Sequence, residues 1–143
     1  MVMGVGPGGP VPHLKRKGMK MDGIEAMARR EGLGMDRLGL AGVLGCDEQT
    51  VEAFETGRQP VPISVEARLA GLEFARDQIA GVLEGRFTPP VLLTYINDQT
   101  FWQAWPGMEG VPVGVHRAAT ADALKSLRWA GLEARIEAAP VQG

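Results

Sequence analysis

The residue types that most often carry catalysis or hold metal ions are sparse in this sequence. Cys46 is the single cysteine, which excludes an intramolecular disulfide and a zinc site built from several cysteines. The two histidines, His13 and His116, are far apart in the sequence and suggest no metal centre. Glu133 and Glu137 have the spacing of a solvated strand face rather than that of paired catalytic carboxylates. The sequence therefore predicts neither an enzyme nor a protein with a metal site or a cofactor.

Charge is distributed unevenly along the 143 residues. Fifteen Lys and Arg against 17 Asp and Glu give a formal net charge of −2, and nucleic-acid-binding domains are usually basic. That average hides a charge of +4 over residues 1–20, −5 over residues 21–87 and −1 over residues 88–143. The positive charges of the first segment are Lys15, Arg16, Lys17 and Lys20. Glycine and proline are dense in the same segment, so it is predicted to be a flexible basic arm.

Capping residues and apolar spacing divide residues 21–87 into helices. These helices are predicted over residues 22–32, 37–44, 48–55 and 64–84. The first is expected to bury Ile24, Met27 and Ala28. Asp36 and Asp47 are suited to cap the second and third helices, and Gly45 follows the second helix where a left-handed conformation favours glycine.

A boundary is predicted at Pro89 and Pro90, after which the apolar runs shorten. The predicted order from there is β-α-β-α-β, with strands over 91–96, 111–116 and 132–138 and helices over 97–105 and 121–130. So small a sheet cannot cover both of its own faces, which favours packing on the first domain or on a second copy of the chain. The predicted fold class is α+β, a helical domain over 21–87 followed by a small α/β dimerisation domain over 88–143.

The second and third predicted helices, joined by a tight turn at Gly45, form a candidate helix-turn-helix. The segment closely resembles the Cro/repressor (XRE) helix-turn-helix family. The resemblance rests on Asp36, Leu44-Gly45, Cys46, Asp47, Thr50-Val51, Phe54-Glu55 and Gly57-Arg58. Residues 56–62, the long helix after them, the Pro-Pro step and the α/β tail are similar to the YdiL-like and anti-CRISPR-associated autoregulators.

The resemblance implies a transcriptional regulator, of the kind found in phages and mobile elements, that binds an inverted repeat in double-stranded DNA as a homodimer. The residues it assigns to base edges are Glu48, Gln49, Glu52 and Ala53. Gln49 is suited to a bidentate contact with adenine, and a glutamate can accept from cytosine. Thr50 contacts a phosphate or packs, and Arg37 and Arg58 are the expected phosphate contacts. Glu55 is expected to pair within the domain.

The third helix lacks the basic residues expected of a helix that contacts DNA, and it contains several acidic ones. Acidic side chains near phosphates are repulsive, so the basic arm is the expected source of sequence-independent attraction. The acidity leaves an alternative open, in which the same fold binds a protein partner as an adaptor or as an antitoxin-like regulator. The arm itself could also be a solvated tail.

The aromatic residues of the C-terminal segment are expected to fill a core or a dimer interface rather than a ligand site. The residues assigned to the dimer interface are Leu93, Tyr95, Trp102, Trp105 and Trp129. His116 is expected to be an exposed or satisfied histidine at a strand end. No segment approaches the length that spans a bilayer and the N-terminus lacks a secretory pattern, so a cytoplasmic protein without a membrane partner is expected.

Overall fold

Helices fill residues 21–85, and each begins and ends close to the predicted residues. The structure, a computed structural model, describes residues 21–85 and 91–140. The helices of the first range are α1 (Gly23–Gly32), α2 (Arg37–Leu44), α3 (Glu48–Glu55) and α4 (Ile63–Glu84). Asp36 Oδ1 accepts a hydrogen bond from the Gly39 N–H at 2.7 Å, and Asp47 Oδ1 accepts one from the Thr50 N–H at 2.8 Å. Gly45 has a φ of +76°, so the predicted caps and the left-handed end of α2 are confirmed.

Residues 91–140 combine helices with a small sheet. Their elements are β1 (Val91–Thr94), α5 (Asp98–Ala104), α6 (Val113–Trp129) and β2 (Arg135–Ala138). The two strands pair in parallel, with Val91 opposite Arg135 and Thr94 opposite Ala138. The described residues therefore have an α+β fold.

The predicted strand over residues 111–116 is wrong, because α6 already begins at Val113. Alternating valines suggested a strand, but Pro112 precedes the first helical turn, where its fixed φ suits a helix start. Asp98 Oδ1 accepts a hydrogen bond from the Val113 N–H at 2.7 Å, which satisfies a donor that the helix itself leaves without a partner. The order in the described residues is therefore β-α-α-β.

The longer α6 also changes which of its side chains are buried. Its buried residues are Val113, Val115, His116, Ala119, Thr120, Ala123 and Leu127. These positions follow a helical spacing that Trp129 does not share, and Trp129 is 91% exposed. Trp129 is therefore a surface residue of the single chain, and its assignment to a dimer interface stays a prediction.

The burial of α1 differs from the predicted face as well. Ile24 is 67% exposed and Ala28 is exposed, whereas Ala26 and Arg30 are buried. The helix is rotated relative to the prediction because Arg30 turns inward to an acidic partner on α3, described below. An arginine at a buried position cannot be recognised from apolar spacing.

Helix α4 links two hydrophobic clusters in the described residues. Its first half contributes Val65, Leu69 and Leu72 to the cluster formed with α1, α2 and α3. Its second half contributes Ile79, Ala80 and Leu83 to the cluster formed with α6, β1 and α5. Val115 of α6 is buried in the first cluster. The helical part and the α/β part therefore share a helix and pack together, while the predicted boundary at Pro89 and Pro90 lies outside the described residues.

The loop after α1 meets the start of α6 at Gly34 and Gly114. A Cβ added at Gly114 would lie 2.4 Å from the Gly34 carbonyl oxygen, which is backbone and cannot rotate away. Gly114→Ala is therefore expected to lower the free energy of unfolding by about 2 kcal/mol through overpacking. Urea unfolding followed by circular dichroism measures the change. The control is Gly81→Ala in α4, where nothing lies within 4 Å of an added Cβ. Equal midpoints for the two variants would contradict the predicted close contact.

Candidate nucleic-acid interface

Helices α2 and α3 are joined by a three-residue turn and differ in what they bury. Cys46 in the turn is half-buried against the first cluster, as expected for an apolar turn residue. Val51 and Phe54 of α3 are buried, which attaches one side of that helix to the core. The opposite side presents Glu48 and Gln49 as exposed residues. Close packing of the two buried apolar side chains fixes the position of this short helix, so its opposite side faces solvent in a defined orientation.

Glu55, at the C-terminal end of α3, connects three helices through its carboxylate. Its Oε2 accepts from Arg30 Nε at 2.7 Å and its Oε1 accepts from Arg30 Nη2 at 3.0 Å, so the pair is bidentate. Arg37 Nε of α2 donates to the same Oε1 at 2.9 Å. The Glu55 side chain is completely buried. The expectation that Glu55 pairs within the domain is confirmed.

The protonation of Glu55 follows from these contacts. Burial by itself raises the pKa of the carboxyl, but the hydrogen bonds from Arg30 and Arg37 outweigh it and hold the pKa below its ordinary value. The hydrogen bonds that Arg30 donates to Glu55 likewise raise the pKa of Arg30 against the opposing effect of burial. The carboxylate is therefore ionised at neutral pH and joins α3 to α1 and α2.

The flanking arginines differ in how far they remain available to a ligand. Arg37 directs its Nε to Glu55, and its Nη1 lies 3.9 Å from Glu52. Arg58 Nη2 lies 3.5 Å from Glu52, yet the Arg58 side chain is 63% exposed. Glu52 thus lies between two guanidinium groups. Of the two predicted phosphate contacts, Arg58 is open to solvent and Arg37 is largely engaged inside the domain.

Thr50 is engaged at the start of α3. Its hydroxyl donates to Asp47 Oδ1 at 2.7 Å, beside the bond from its own N–H. These two hydrogen bonds, the side-chain one first, lower the pKa of the Asp47 carboxyl. The arrangement favours a capping role for Thr50 over the phosphate contact that was the other expectation. It also gives Asp47 a local partner, which leaves Glu48 as the acid of this helix that has no ion pair among the described residues.

The outward side of α3 borders an open depression of about 440 Å³. The depression, here called the α3 face, is lined by Gln49, Glu52, Ala53, Arg58 and Gln59. Four of these residues were predicted to contact DNA. Gln59 was not, because it follows the third helix in a loop and its amide has no distinctive spacing. The α3 face thus contains two amides, which can both donate and accept hydrogen bonds, and one exposed guanidinium.

The chain enters α1 next to this face. A second depression is lined by Met21, Asp22 and Gly23 on one side and by Arg58 and Gln59 on the other. Gly23 approaches α3 so closely that an added Cβ would lie 2.2 Å from the Phe54 carbonyl oxygen. The predicted arm contacts precede this point directly in the sequence. Lys15, Arg16, Lys17 and Lys20 themselves lie outside the described residues.

The residues predicted for a dimer interface fall into two groups. Tyr95, Trp102 and Trp105 are half-buried and pack against the second cluster. The Trp102 indole donates its Nε1–H to the Val111 carbonyl at 2.7 Å, which fixes the ring within the chain. Leu93 and Trp129 are exposed. The aromatic content of this part is therefore mainly core, and two of the five predicted residues remain on the surface.

His116 is a core residue rather than the strand-end histidine that was expected. It belongs to the first turns of α6 and is completely buried. Its Nδ1 lies 2.9 Å from Thr94 Oγ1, while no described residue lies within hydrogen-bonding distance of Nε2. The rings of Tyr95 and Phe101 each lie 4.9 Å from the imidazole. Burial, with a smaller contribution from Arg117, lowers the pKa of His116 to about 4.

Comparison with known proteins adds no family name to this arrangement. The sequence matches no family model and no curated protein. The resemblance to the XRE family therefore stays a prediction from the residues between Asp36 and Arg58. Within residues 21–85 and 91–140, no helix is long and apolar enough to cross a bilayer.

Proposed function

We propose that this chain is a sequence-specific DNA-binding transcriptional regulator, with α2 and α3 as its helix-turn-helix and an inverted repeat bound by a homodimer. The observation that carries the proposal is the bonding of Glu55 to Arg30 and Arg37, which ties the end of α3 to α1 and α2. With that end anchored, Gln49 is held on the solvent side of a rigid helix. A helix that reads base edges must combine this rigidity with an exposed face.

The acidity of α3 opposes DNA binding less than the sequence alone suggests. Asp47 is engaged as a cap, Glu52 lies between two arginines, and Glu55 is buried with its partners. Arg58 on the α3 face supplies an exposed positive charge. The predicted basic arm would add four further charges, and Met21, the residue that follows it in the sequence, lines the depression next to the α3 face. These positions support phosphate contacts by the arm and by Arg58.

Gln49→Ala is expected to relax the base preference at one position of the site. The amide of Gln49 is suited to adenine, and losing a bidentate contact costs about 1–3 kcal/mol of discrimination. Selection of binding sites from randomised DNA by the wild type and the variant measures the change position by position. Gln103→Ala, an exposed amide on α5, is the control and should leave the preference unchanged. Uniform weakening across all sequences would instead identify Gln49 as a phosphate contact.

Replacing Lys15, Arg16, Lys17 and Lys20 by glutamine should weaken DNA binding and flatten its salt dependence. Each lost phosphate contact removes about 0.9 from the slope of log K against log salt, so four contacts amount to roughly 3–4. Fluorescence anisotropy over a salt series measures both quantities. The substituted arm keeps its length, which separates charge from sterics. An unchanged slope would show that the arm is a solvated tail.

The alternative is a protein-binding adaptor or an antitoxin-like regulator. One observation favours it, because Glu48 is exposed at the start of α3 with no ion pair among the described residues. A pure adaptor would bind no inverted repeat even at low salt. The substitution at Gln49 and those in the arm would then have no DNA affinity to change.

A further inference from the structure

Strand β2 has one paired edge and one edge without a partner in the described residues. The Ala139 N–H donates to the Thr94 carbonyl at 2.8 Å, which continues the parallel pairing beyond the strand. Backbone groups alternate in direction along a strand, so those of Glu137 and Arg135 also face β1. The N–H and C=O groups of Ile136 and Ala138 therefore face outward. All four residues of β2 are exposed.

An unpaired strand edge is a template for another strand, and its side chains decide which one fits. Arg135 and Glu137 lie on the same face of β2, on either side of Ile136. In an antiparallel pair centred on Ile136, each Arg135 lies opposite the partner's Glu137. A parallel pair in register would instead place Arg135 opposite the partner's Arg135, and like charges directly opposite are unfavourable. The charge order of β2 is therefore complementary to itself in the antiparallel arrangement.

We infer that two copies of the chain pair antiparallel through the free edge of β2, which gives a continuous sheet in the order β1-β2-β2-β1. The inference rests on the homodimer of the proposed function and specifies its interface. The two-fold axis passes beside Ile136, which is 37% exposed in the single chain. Two exposed apolar residues precede the strand closely in the sequence, since Trp129 ends α6 and Leu132 lies in the connection from α6 to β2. A second copy beside β2 would cover part of this apolar surface.

The decisive experiment uses two variants that are each unfavourable alone and complementary to one another. R135E makes β2 acidic and E137R makes it basic, so each homodimer brings like charges together. Each is expected to dimerise about tenfold more weakly than the wild type, the combined effect of two cross-strand pairs. An equimolar mixture should form heterodimers in preference to either homodimer, because opposite charges then face each other. Sedimentation equilibrium of the full chain gives the constants, and native mass spectrometry counts the heterodimers.

Restored dimerisation in the mixture shows that the two variants act at the interface between chains and not through a change within one chain. Arg135 and Glu137 also pair with each other at 2.7 Å inside the monomer, and mixing cannot repair that contact. K125E, at an exposed site on α6, changes the charge by the same amount as R135E, so it controls for net charge and should dimerise as the wild type does. A138P removes an outward N–H and should dissociate the dimer while the circular dichroism stays unchanged.

Several results would overturn the inference. The first is a wild-type chain that is still monomeric at about 100 μM, a hundred times a micromolar dissociation constant. The second is unaltered dimerisation of R135E and E137R. The third is the absence of preferential heterodimers in the mixture. Dissociation by Phe74→Ser alone would place the interface at the exposed phenylalanine of α4 instead. The assay contains no DNA. A dimer through β2 that binds no DNA would contradict the proposed function and leave this inference standing. A dimer that binds DNA but forms through another surface would contradict this inference and leave the proposed function standing.

Discussion

Replacing Glu55 by glutamine is expected to lower the free energy of unfolding by about 3–5 kcal/mol, because it leaves two arginines without their buried carboxylate. Arg30 would remain buried with a full charge. Its remaining contacts are a hydrogen bond from Nη1 to the neutral Met35 carbonyl at 2.9 Å and an ion pair at 3.9 Å with Glu31, whose side chain is exposed, and such a pair contributes little. Stabilities of small domains are typically about 5–15 kcal/mol, so the loss is a large fraction of the total. The α3 helix should lose its attachment to α1 and α2 first.

Urea unfolding at neutral pH measures this effect, with Glu52→Gln as the matched control. Glu52 is on the same helix and also lies near Arg37, but its side chain is about half-exposed. Pairs of that kind contribute about 0–1 kcal/mol, so the control should unfold close to the wild type. Similar midpoints for the two variants would contradict the description of Glu55 as the buried anchor of α3.

Lowering the pH from 7 to 5 is expected to cost about 2 kcal/mol of stability through His116 alone. The folded chain holds this imidazole neutral with a pKa of about 4, whereas the unfolded chain protonates it near its ordinary value of 6.5. Between these two values the unfolded state binds more protons, so stability falls as the pH falls through that window. The cost is about 3 kcal/mol at pH 4 and levels off slightly above that value at lower pH.

The pH dependence is assigned to His116 by comparing two single variants. His116→Gln removes the titrating group and should remove most of the slope between pH 7 and 5. His13→Gln removes the other histidine, which lies outside the described residues, and should leave the slope intact. Thermal unfolding at both pH values provides the measurement. A slope that follows His13 would contradict the buried, aromatic environment described for His116.

The parts of the fold that local chemistry determines could be predicted from the sequence. Asp36, Asp47 and Asn97 each cap a helix through a side chain that reaches only three residues ahead. Gly45 ends α2 because this position has a positive φ, which glycine adopts without the steric cost of a Cβ. Such interactions lie within one turn of chain, so their residue types and spacing are sufficient to indicate them.

The start of α6 could not be predicted in this way because distant residues determine it. Alternating valines fit a strand locally. In the structure the first N–H of the helix bonds to Asp98, and Gly114 lies against Gly34 from the loop after α1. Neither contact can be recognised from the segment itself. Tertiary contacts override local propensity here, which also explains why His116 is in the core.

The sequence indicated most of the residues that line the α3 face, but not which residues near it already bond to other parts of the chain. The sequence indicated Gln49, Glu52 and Arg58, and all three line the α3 face. It did not show that Arg37 shares the buried carboxylate of Glu55, since that depends on the packing of α2 against α3. Gln59 was missed for a related reason, because only the folded loop brings it beside α3.

If the α3 face contacts base edges, the chain prefers its own binding site to other DNA. The full chain is titrated against the DNA upstream of its own gene and against a scrambled duplex of equal length and composition, at a low and a near-physiological salt concentration. We expect a complex with an inverted repeat that is at least about 1,000-fold tighter than the complex with the scrambled duplex at the higher salt concentration. Gln49→Ala is expected to reduce this ratio of affinities. Equal affinity for both duplexes, or no complex even at low salt, would contradict base contacts by the α3 face.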